Sequence, residues 1–137
     1  MKIEIKDGIT VEQFNTLRAA VGWATLEDVQ AQTGINNSIS FVAYYENQAV
    51  GMARIITDGG YVIFIADVIV LPEYQGKGIG RQLMEKVMGY IGEQKKDGYK
   101  FMVSLGSATG KEGFYEKFGF RQRPNDRSGA GMSIWME

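Results

Sequence analysis

The sequence contains neither cysteine nor histidine among its 137 residues. This excludes thiol nucleophiles, disulfides, imidazole bases and zinc sites of the usual kinds, so we expect no metal ion. Any acid–base chemistry must therefore depend on carboxylates, tyrosine, lysine or ordered water.

The sequence also lacks an excess of positive charge, since its formal net charge is -1. Domains that bind nucleic acids usually carry a basic excess, so nucleic acid is not an expected partner. No apolar run reaches membrane-spanning length, and the first residues, MKIEIKDG, do not resemble a signal peptide. We therefore expect a cytoplasmic protein with no membrane partner.

The composition favours a folded chain, with 45% hydrophobic and 12% aromatic residues. The length predicts a single domain over residues 1–137. Periodicity predicts a first strand in KIEIK, a helix in TVEQFNTLRAAVG with Thr10 and Gln13 as a capping box, and a short helix from Leu26 to Thr33. Three strands follow over residues 38–71, with turns at ENQ and DGG.

The second half of the chain predicts a helix with apolar residues at every fourth position, Ile79, Leu83, Val87 and Ile91. A buried strand, YKFMVSL, and a short helix over residues 111–118 come next, and GFRQR and GMSIWM are predicted as closing strands with Trp135 in the core. The fold class is therefore mixed α/β. The hairpins argue against a doubly wound parallel sheet.

Three glycines, Gly76, Gly78 and Gly80, lie between an apolar strand and the start of the long helix. A turn alone needs only one glycine. Unpaired amides at a helix N-terminus form a cradle for anions, most often phosphate. The segment lacks the G-K-[S/T] of a P-loop and the sixth-position glycine of a dinucleotide fingerprint. The remaining pattern is Q-x-x-G-x-G, followed by Arg81.

This pattern, in the context LPEYQGKGIG, resembles the acyl-CoA loop of the GNAT superfamily of acetyl-CoA-dependent N-acetyltransferases. A second segment, EGFYEKFGF at residues 112–120, is similar to the C-terminal motif of that family. The two segments occur in the order and spacing of the family, and together they cover residues 61–121. The resemblance implies a GNAT fold, in which a mostly antiparallel sheet has helices on both faces.

The resemblance also implies a set of residues that bind acetyl-CoA. The pyrophosphate is expected on the loop amides, and the pantetheine arm along the preceding strand, where its amides can pair with backbone groups. Ser107 stands beside the position where many relatives have an Asn, which here is Ala108. The predicted cofactor-binding residues are Val68, Ile69, Val70, Gln75, Gly76, Lys77, Gly78, Ile79, Gly80, Arg81, Ser107 and Tyr115.

Two residues are predicted to be catalytic. Tyr115 matches the family tyrosine near the thioester sulfur, and a phenol with a pKa near 10 can donate a proton to a departing thiolate. Asp67 is the only ionisable side chain in the strand VIFIADVIV. It could hold a substrate ammonium, order a water, or cap neighbouring backbone. Some relatives have Glu-Asp here with the Glu as base, and this chain has Ala66 in the place of that Glu.

The acceptor site of the family is lined by the first helices and neighbouring strands, which points to Trp23, Arg54 and Asp67 as substrate contacts. An aromatic wall with one acid favours a small aryl- or alkylamine or polyamine acceptor. The alternatives are a protein or peptide amine, and a non-catalytic acyl-CoA sensor. With no Cys to carry an acyl group, direct transfer is expected. The C-terminal strands could pair two copies into a homodimer.

Overall fold

The computed structural model describes all residues from 1 to 137, and the chain forms two compact units, residues 1–103 and 104–137. The first unit contains β1 (Glu4–Asp7), α1 (Val11–Ala20), α2 (Asp28–Asn36), β2 (Ile39–Tyr45), β3 (Gln48–Thr57), β4 (Val62–Val70), a 3₁₀ turn (Pro72–Tyr74) and α3 (Ile79–Gln94). Strand β5 (Met102–Leu105) spans the boundary, and α4 (Glu112–Glu116) belongs to the second unit. No helix has the length and apolar character that crossing a bilayer requires.

The strands form one five-stranded sheet in the order β1-β2-β3-β4-β5, in which β1 to β4 pair antiparallel. The β2–β3 hairpin closes through Glu46 and Asn47, which both have positive φ (48° and 66°), between the paired residues Tyr45 and Gln48. Two positive φ values in a two-residue loop match the twist of antiparallel strands. The predicted mixed α/β fold is confirmed.

The core of the first unit lies between the sheet and its helices. Helix α3 buries the face predicted from its four-residue repeat, and α1 buries Phe14 and Leu17. Gly51 on β3 brings α3 close to the sheet, because a Cβ there would lie 2.9 Å from the Ile69 carbonyl and 3.1 Å from Leu83 Cδ1. This close approach holds β3, β4 and the beginning of α3 in fixed relative positions.

The helix starts follow from their caps. The Thr10 hydroxyl accepts from the Gln13 N–H and the Gln13 side chain accepts from the Thr10 N–H, both at 3.1 Å, which confirms the predicted capping box. Helix α2 begins two residues later than predicted, because the Glu27 carboxylate accepts from the Val29 and Gln30 N–H groups. It continues through Gly34, the predicted end, to Asn36.

The predicted closing strands are wrong, since GFRQR and GMSIWM contain no strand. Trp135 was predicted in the core, but its side chain is 77% exposed. Met132, Ile134 and Met136 are even more exposed. Between the two segments, the Asn125 side chain accepts from the N–H groups of Arg127 and Ser128, and the guanidinium of Arg123, which ends the first segment, donates to the Gly129 carbonyl. These local bonds satisfy the backbone in turns, without the partner that a strand needs.

Candidate active site

Strand β4 carries a bulge at its centre. Arg54 pairs with Ala66 and Met52 with Ile69, so Asp67 and Val68 together face the single residue between them on β3. Asp67 has φ +52°, a left-handed value that Asp tolerates better than most residues. A bulge of this kind bends the strand and redirects a side chain. The sequence predicted a plain buried strand, because nothing in VIFIADVIV marks the extra residue.

The redirected Asp67 carboxylate forms two ion pairs. Its Oδ1 accepts from Arg18 Nη1 at 2.7 Å, and its Oδ2 accepts from Arg54 Nε at 2.9 Å. All three side chains are almost buried, with 9 to 12% of each exposed. We call these residues the Arg18–Asp67–Arg54 cluster. The sequence prediction for Asp67 named substrate, water or backbone as its contacts, and the structure places two guanidiniums there.

Arg18 was not predicted from the sequence, although its spacing contained the information. It lies four residues after Phe14 and one after Leu17, on the buried face of α1 where an apolar residue is expected. Its Nε donates to the Ala24 carbonyl at 2.7 Å, and its guanidinium carbon lies 5.5 Å from the Trp23 ring centroid. A charged residue on a helical core face indicates a buried partner.

Arg54 connects the cluster to α2 and to the turn between α2 and β2. Its Nη1 donates to the Gly34 carbonyl at 3.2 Å and to the Ser38 hydroxyl at 2.9 Å. Trp23, beside Arg18, is 38% exposed. The structure therefore brings together the three predicted substrate contacts, Trp23, Arg54 and Asp67, through Arg18. The bonds to α1, α2 and two strands fix the cluster in position.

The glycine segment forms the turn into α3. Gly76 (φ +76°) and Gly78 (φ +83°) both have left-handed backbones, and no heavy atom lies within 4 Å of a Cβ built at either. Gly78 is the N-cap of α3 and offers no side-chain cap, so the first amides of the helix have no side-chain acceptor. Gly80 lies inside the first turn of the helix. Lys77 and Arg81 are exposed there.

The neighbouring predicted residues take different positions. The Gln75 amide donates to the Val70 carbonyl at 2.9 Å, which fixes the turn to the end of β4. Ile69 and Val70 pair with β3 on one side, and Ile69 is buried while Val68 and Val70 are half-buried. The buried Ile79 begins α3. The bulge, the end of β4 and the open amides therefore follow one another over residues 67–81.

The second unit contains the remaining predicted residues. Tyr115 in α4 is 9% exposed, and its ring packs edge-to-face on Phe114 and Phe120, with centroids 5.0 and 6.4 Å away. Burial raises the pKa of the Tyr115 phenol above its usual value of about 10. The Ser107 hydroxyl donates to the Ala108 carbonyl at 2.8 Å.

Two cavities occur in the first unit. An open groove of about 700 Å³ between α1 and α2 is lined by Val11, Glu12, Asn15, Thr16, Asp28, Val29, Gln32 and Thr33. A smaller cavity of about 250 Å³ has an apolar wall that includes Ile55, Tyr90, Tyr99 and Phe101. Neither is lined by Asp67 or the glycine turn, so neither enters the assignment of the site.

Comparison of the sequence and the fold with known proteins identifies a family. The acetyltransferase (GNAT) domain profile matches residues 36–122. A crystal structure of a probable acetyltransferase of unknown function from meticillin-resistant Staphylococcus aureus is 31% identical, with a TM-score of 0.87 over 98% of this chain and 100% of that one.

Curated sequences give the same result. The uncharacterized N-acetyltransferase ycf52 of Pyropia yezoensis is 25% identical over 93% of this chain and 78% of its own length. Serotonin N-acetyltransferase 2, chloroplastic, of Oryza sativa subsp. japonica is 27% identical over 86% of this chain and 60% of its own length. The chain belongs to the GNAT family of N-acetyltransferases, as its glycine turn and aromatic C-terminal motif predicted.

Proposed function

We propose that this enzyme transfers the acetyl group of acetyl-CoA directly to the primary amine of a small molecule, of the aryl- or alkylamine or polyamine type. The observation that carries the proposal is the order of features along residues 67–81. A bulged strand leads into a left-handed glycine turn, and that turn opens a helix whose first amides lack a side-chain cap. The family acts with acetyl-CoA, and this segment offers the groups that such a ligand requires.

The turn and the strand would hold the two ends of the pantetheine diphosphate. Amides from Gly76 to Arg81 are the proposed pyrophosphate donors, supported by the open space above Gly76 and Gly78. Lys77 and Arg81 add cationic donors. Ile69 and Val70 pair with β3 along one strand edge, and Val68 lies in the bulge, so the opposite edge of these three residues is the proposed partner of the pantetheine amides. Gln75 would act indirectly, by fixing the turn, and Ser107 is kept as a weaker proposed contact.

Tyr115 is the proposed proton donor to the departing CoA thiolate. Since burial raises the pKa of Tyr115, the phenol keeps its proton through the whole range in which a thiol of pKa about 8.5 ionises. A phenol that stays protonated can donate its proton to the thiolate at neutral pH, and the phenolate that remains would take a proton back from water before the next turnover. The proposal rests on the aromatic motif and on this burial.

The proton of the acceptor amine needs another destination. A primary ammonium of pKa about 10.4 is deprotonated in roughly one molecule in 2,500 at pH 7. Each Asp67 oxygen already accepts a guanidinium hydrogen bond, and protonating the carboxylate would remove the negative charge that both ion pairs depend on. We therefore propose that Asp67 orients Arg18 and Arg54 at the bulge, and that water takes the proton.

Trp23 supplies the apolar part of the proposed acceptor site, since its ring is partly exposed beside the cluster. The rice relative named for serotonin, an arylalkylamine, supports an aromatic acceptor. A protein or peptide amine and a non-catalytic sensor remain the competing functions. One observation favours the sensor: the carboxylate at the bulge, Asp67, is already paired with two guanidiniums and is therefore a poor candidate for a general base.

The test is release of free CoA thiol from acetyl-CoA, measured with arylalkylamines, polyamines, amino sugars and Lys peptides as acceptors. Selective release with a small amine supports the proposal, and release with peptides alone would replace it with the protein-directed alternative. No release from protein that binds acetyl-CoA by calorimetry would favour the sensor. Tyr115→Phe should lower the rate by about 10²-fold or more if the phenol is the proton donor.

A further inference from the structure

The Arg18–Asp67–Arg54 cluster carries more positive than negative charge. Two guanidiniums share one carboxylate, which leaves a formal charge of +1, and neither Arg18 nor Arg54 forms an ion pair with any other carboxylate. The side chains are 9%, 10% and 12% exposed, so water solvates the cluster only in part. Charge in such a setting is costly unless it is paired. The excess therefore favours a further anion.

The cluster also keeps unused hydrogen-bond donors. The bonds described above use Nε and Nη1 of both guanidiniums, and Nη2 of neither donates to a protein atom. No buried side-chain nitrogen in the structure lacks a partner. It follows that Nη2 of Arg18 and Nη2 of Arg54 are both reached by solvent. Each arginine is held rigidly by its other nitrogens and presents one open NH₂ group.

The two open groups belong to side chains that lie together. The guanidinium carbons of Arg18 and Arg54 are 5.5 and 5.4 Å from the same Phe14 ring centroid, and both groups contact the same carboxylate. The Trp23 ring centroid is 5.5 Å from the guanidinium carbon of Arg18. A positive pair of donors therefore adjoins a partly exposed aromatic surface, next to the bulge of β4.

We propose that the cluster binds an anionic group of the acetyl acceptor, so that the substrate is an amine that also carries a carboxylate or a phosphate. This inference rests on the proposed transfer to a small primary amine, and it favours anionic amines over the simple arylalkylamines and polyamines named there. Guanidiniums suit both anions, because their planar N–H groups match the spacing of carboxylate and phosphate oxygens. It argues against one of the three sequence-based alternatives for Asp67, that it holds the substrate ammonium, since the cluster as a whole repels a cation. The apolar part of the acceptor would lie against Trp23.

The first experiment compares matched acceptors with the wild-type enzyme, using thiol release and correcting each rate for its fraction of free amine. The carboxylate arm compares phenylalanine with phenylalaninamide and 2-phenylethylamine. The phosphate arm compares glucosamine 6-phosphate with glucosamine. We expect kcat/KM to be at least tenfold higher for the anionic member of one arm, which corresponds to about 1.4 kcal/mol. Equal or lower values for the anionic members of both arms would overturn the inference while leaving acetyl transfer established.

A second experiment measures binding without turnover, so that it does not depend on the proposed function. Calorimetry compares phenylacetate with phenylacetamide, and inorganic phosphate is titrated separately. We expect binding of phenylacetate or phosphate but not of phenylacetamide. If anions bind but no amine is acetylated, the anion site stands and the proposed function fails. If no anion binds, the inference fails whatever the activity.

Variants test whether charge, rather than structure, sets the preference. Arg54→Gln reduces the formal charge to zero and should abolish the anionic preference, whereas Asp67→Asn raises it to +2 and should keep or strengthen it. Asn suits the left-handed backbone of Asp67. Lys95→Gln, on the exposed end of α3, removes the same charge elsewhere and should change nothing. A purely structural role predicts that both cluster variants weaken anion binding alike, and that result would contradict the proposal.

Folding of the variants is checked by circular dichroism. If Asp67→Asn does not fold, Arg54→Lys replaces it, because Lys keeps the positive charge and loses the Nη2 donor. We expect Arg54→Lys to keep part of the anionic preference that Arg54→Gln loses. Equal preference in wild type, Arg54→Lys and Arg54→Gln would show that Arg54 does not bind the anion.

Discussion

Replacing Gly78 with alanine tests whether the glycine turn binds a ligand or only reverses the chain. Gly78 has φ +83°, and a Cβ there meets no protein atom within 4 Å. Gly98, in the turn after α3, has φ +81° and the same empty surroundings. The two alanine variants therefore share the cost of a left-handed backbone, about 1–2 kcal/mol. For a chain of this length that is about 3–7 °C in melting temperature.

Only the Gly78 variant should lose affinity for CoA. The methyl group at Gly78 would occupy open space at the N-terminus of α3, where the pyrophosphate is proposed to lie. Losing one hydrogen bond to a charged group costs about 1.5–3 kcal/mol, or roughly 10- to 150-fold in affinity. Gly98→Ala should bind CoA as the wild type does.

Calorimetric titration with CoA and thermal unfolding without ligand separate these two effects. The expected result is a similar fall in melting temperature for both variants, together with a rise in Kd for CoA of at least tenfold in Gly78→Ala alone. Unchanged CoA affinity in a folded Gly78→Ala protein would show that the turn is structural only. An equal loss of affinity in both variants would indicate that strain, and not contact with the ligand, is responsible.

Three further predictions concern the packing of α3 on the sheet, the Tyr115 phenol and the C-terminus. Gly51→Ala should lower the free energy of unfolding in urea by about 1–3 kcal/mol, because its Cβ would lie 2.9 Å from the Ile69 carbonyl. The control Gly89→Ala, at an exposed position within α3, should raise that free energy by about 0.5–1 kcal/mol. A change of the same sign in both variants would refute the close-approach argument. Because burial raises the pKa of Tyr115, the unfolded chain loses that proton first as pH rises through about 10, so wild-type stability should fall above pH 10. In urea titrations at pH 9 to 11, the free energy of unfolding of Tyr115→Phe should fall less steeply with pH than that of the wild type. Parallel curves for the two proteins would contradict this prediction. Trp135→Ser should change the unfolding free energy by less than about 0.5 kcal/mol, since the side chain is 77% exposed, and a larger loss would mean that the ring packs on the protein.

Local patterns predicted most of the first unit. The four-residue repeat of α3, the Thr10–Gln13 capping box and the turns around β3 each depend on neighbouring residues, so the sequence contains the information. Whether the two C-terminal segments form strands could not be predicted from neighbouring residues alone. A strand needs a partner, and GMSIWM alternates as a strand should but has no neighbour in the structure.

The candidate site was predictable where it depends on backbone and not where it depends on distant pairs. The glycine segment was identified because it holds more glycines than one turn needs, and Gly76 and Gly78 both have left-handed backbones. The role of Asp67 was not, since its partners lie 49 and 13 residues away in the sequence. The bulge that redirects it arises from the β3–β4 register, which composition does not determine.

The sign of the charge at the bulge matters for an enzyme that acetylates amines. A lone carboxylate near the acceptor would stabilise the ammonium, which has no lone pair and cannot attack a thioester. Two guanidiniums reverse that field, and a nearby positive charge lowers the pKa of an amine. In the proposed site, a carboxylate of the acceptor would cancel the +1 charge, so the bound amine would face no net negative charge that favours its ammonium form. An enzyme without histidine, whose carboxylate at the bulge is fully paired, would in this way need less help from a general base.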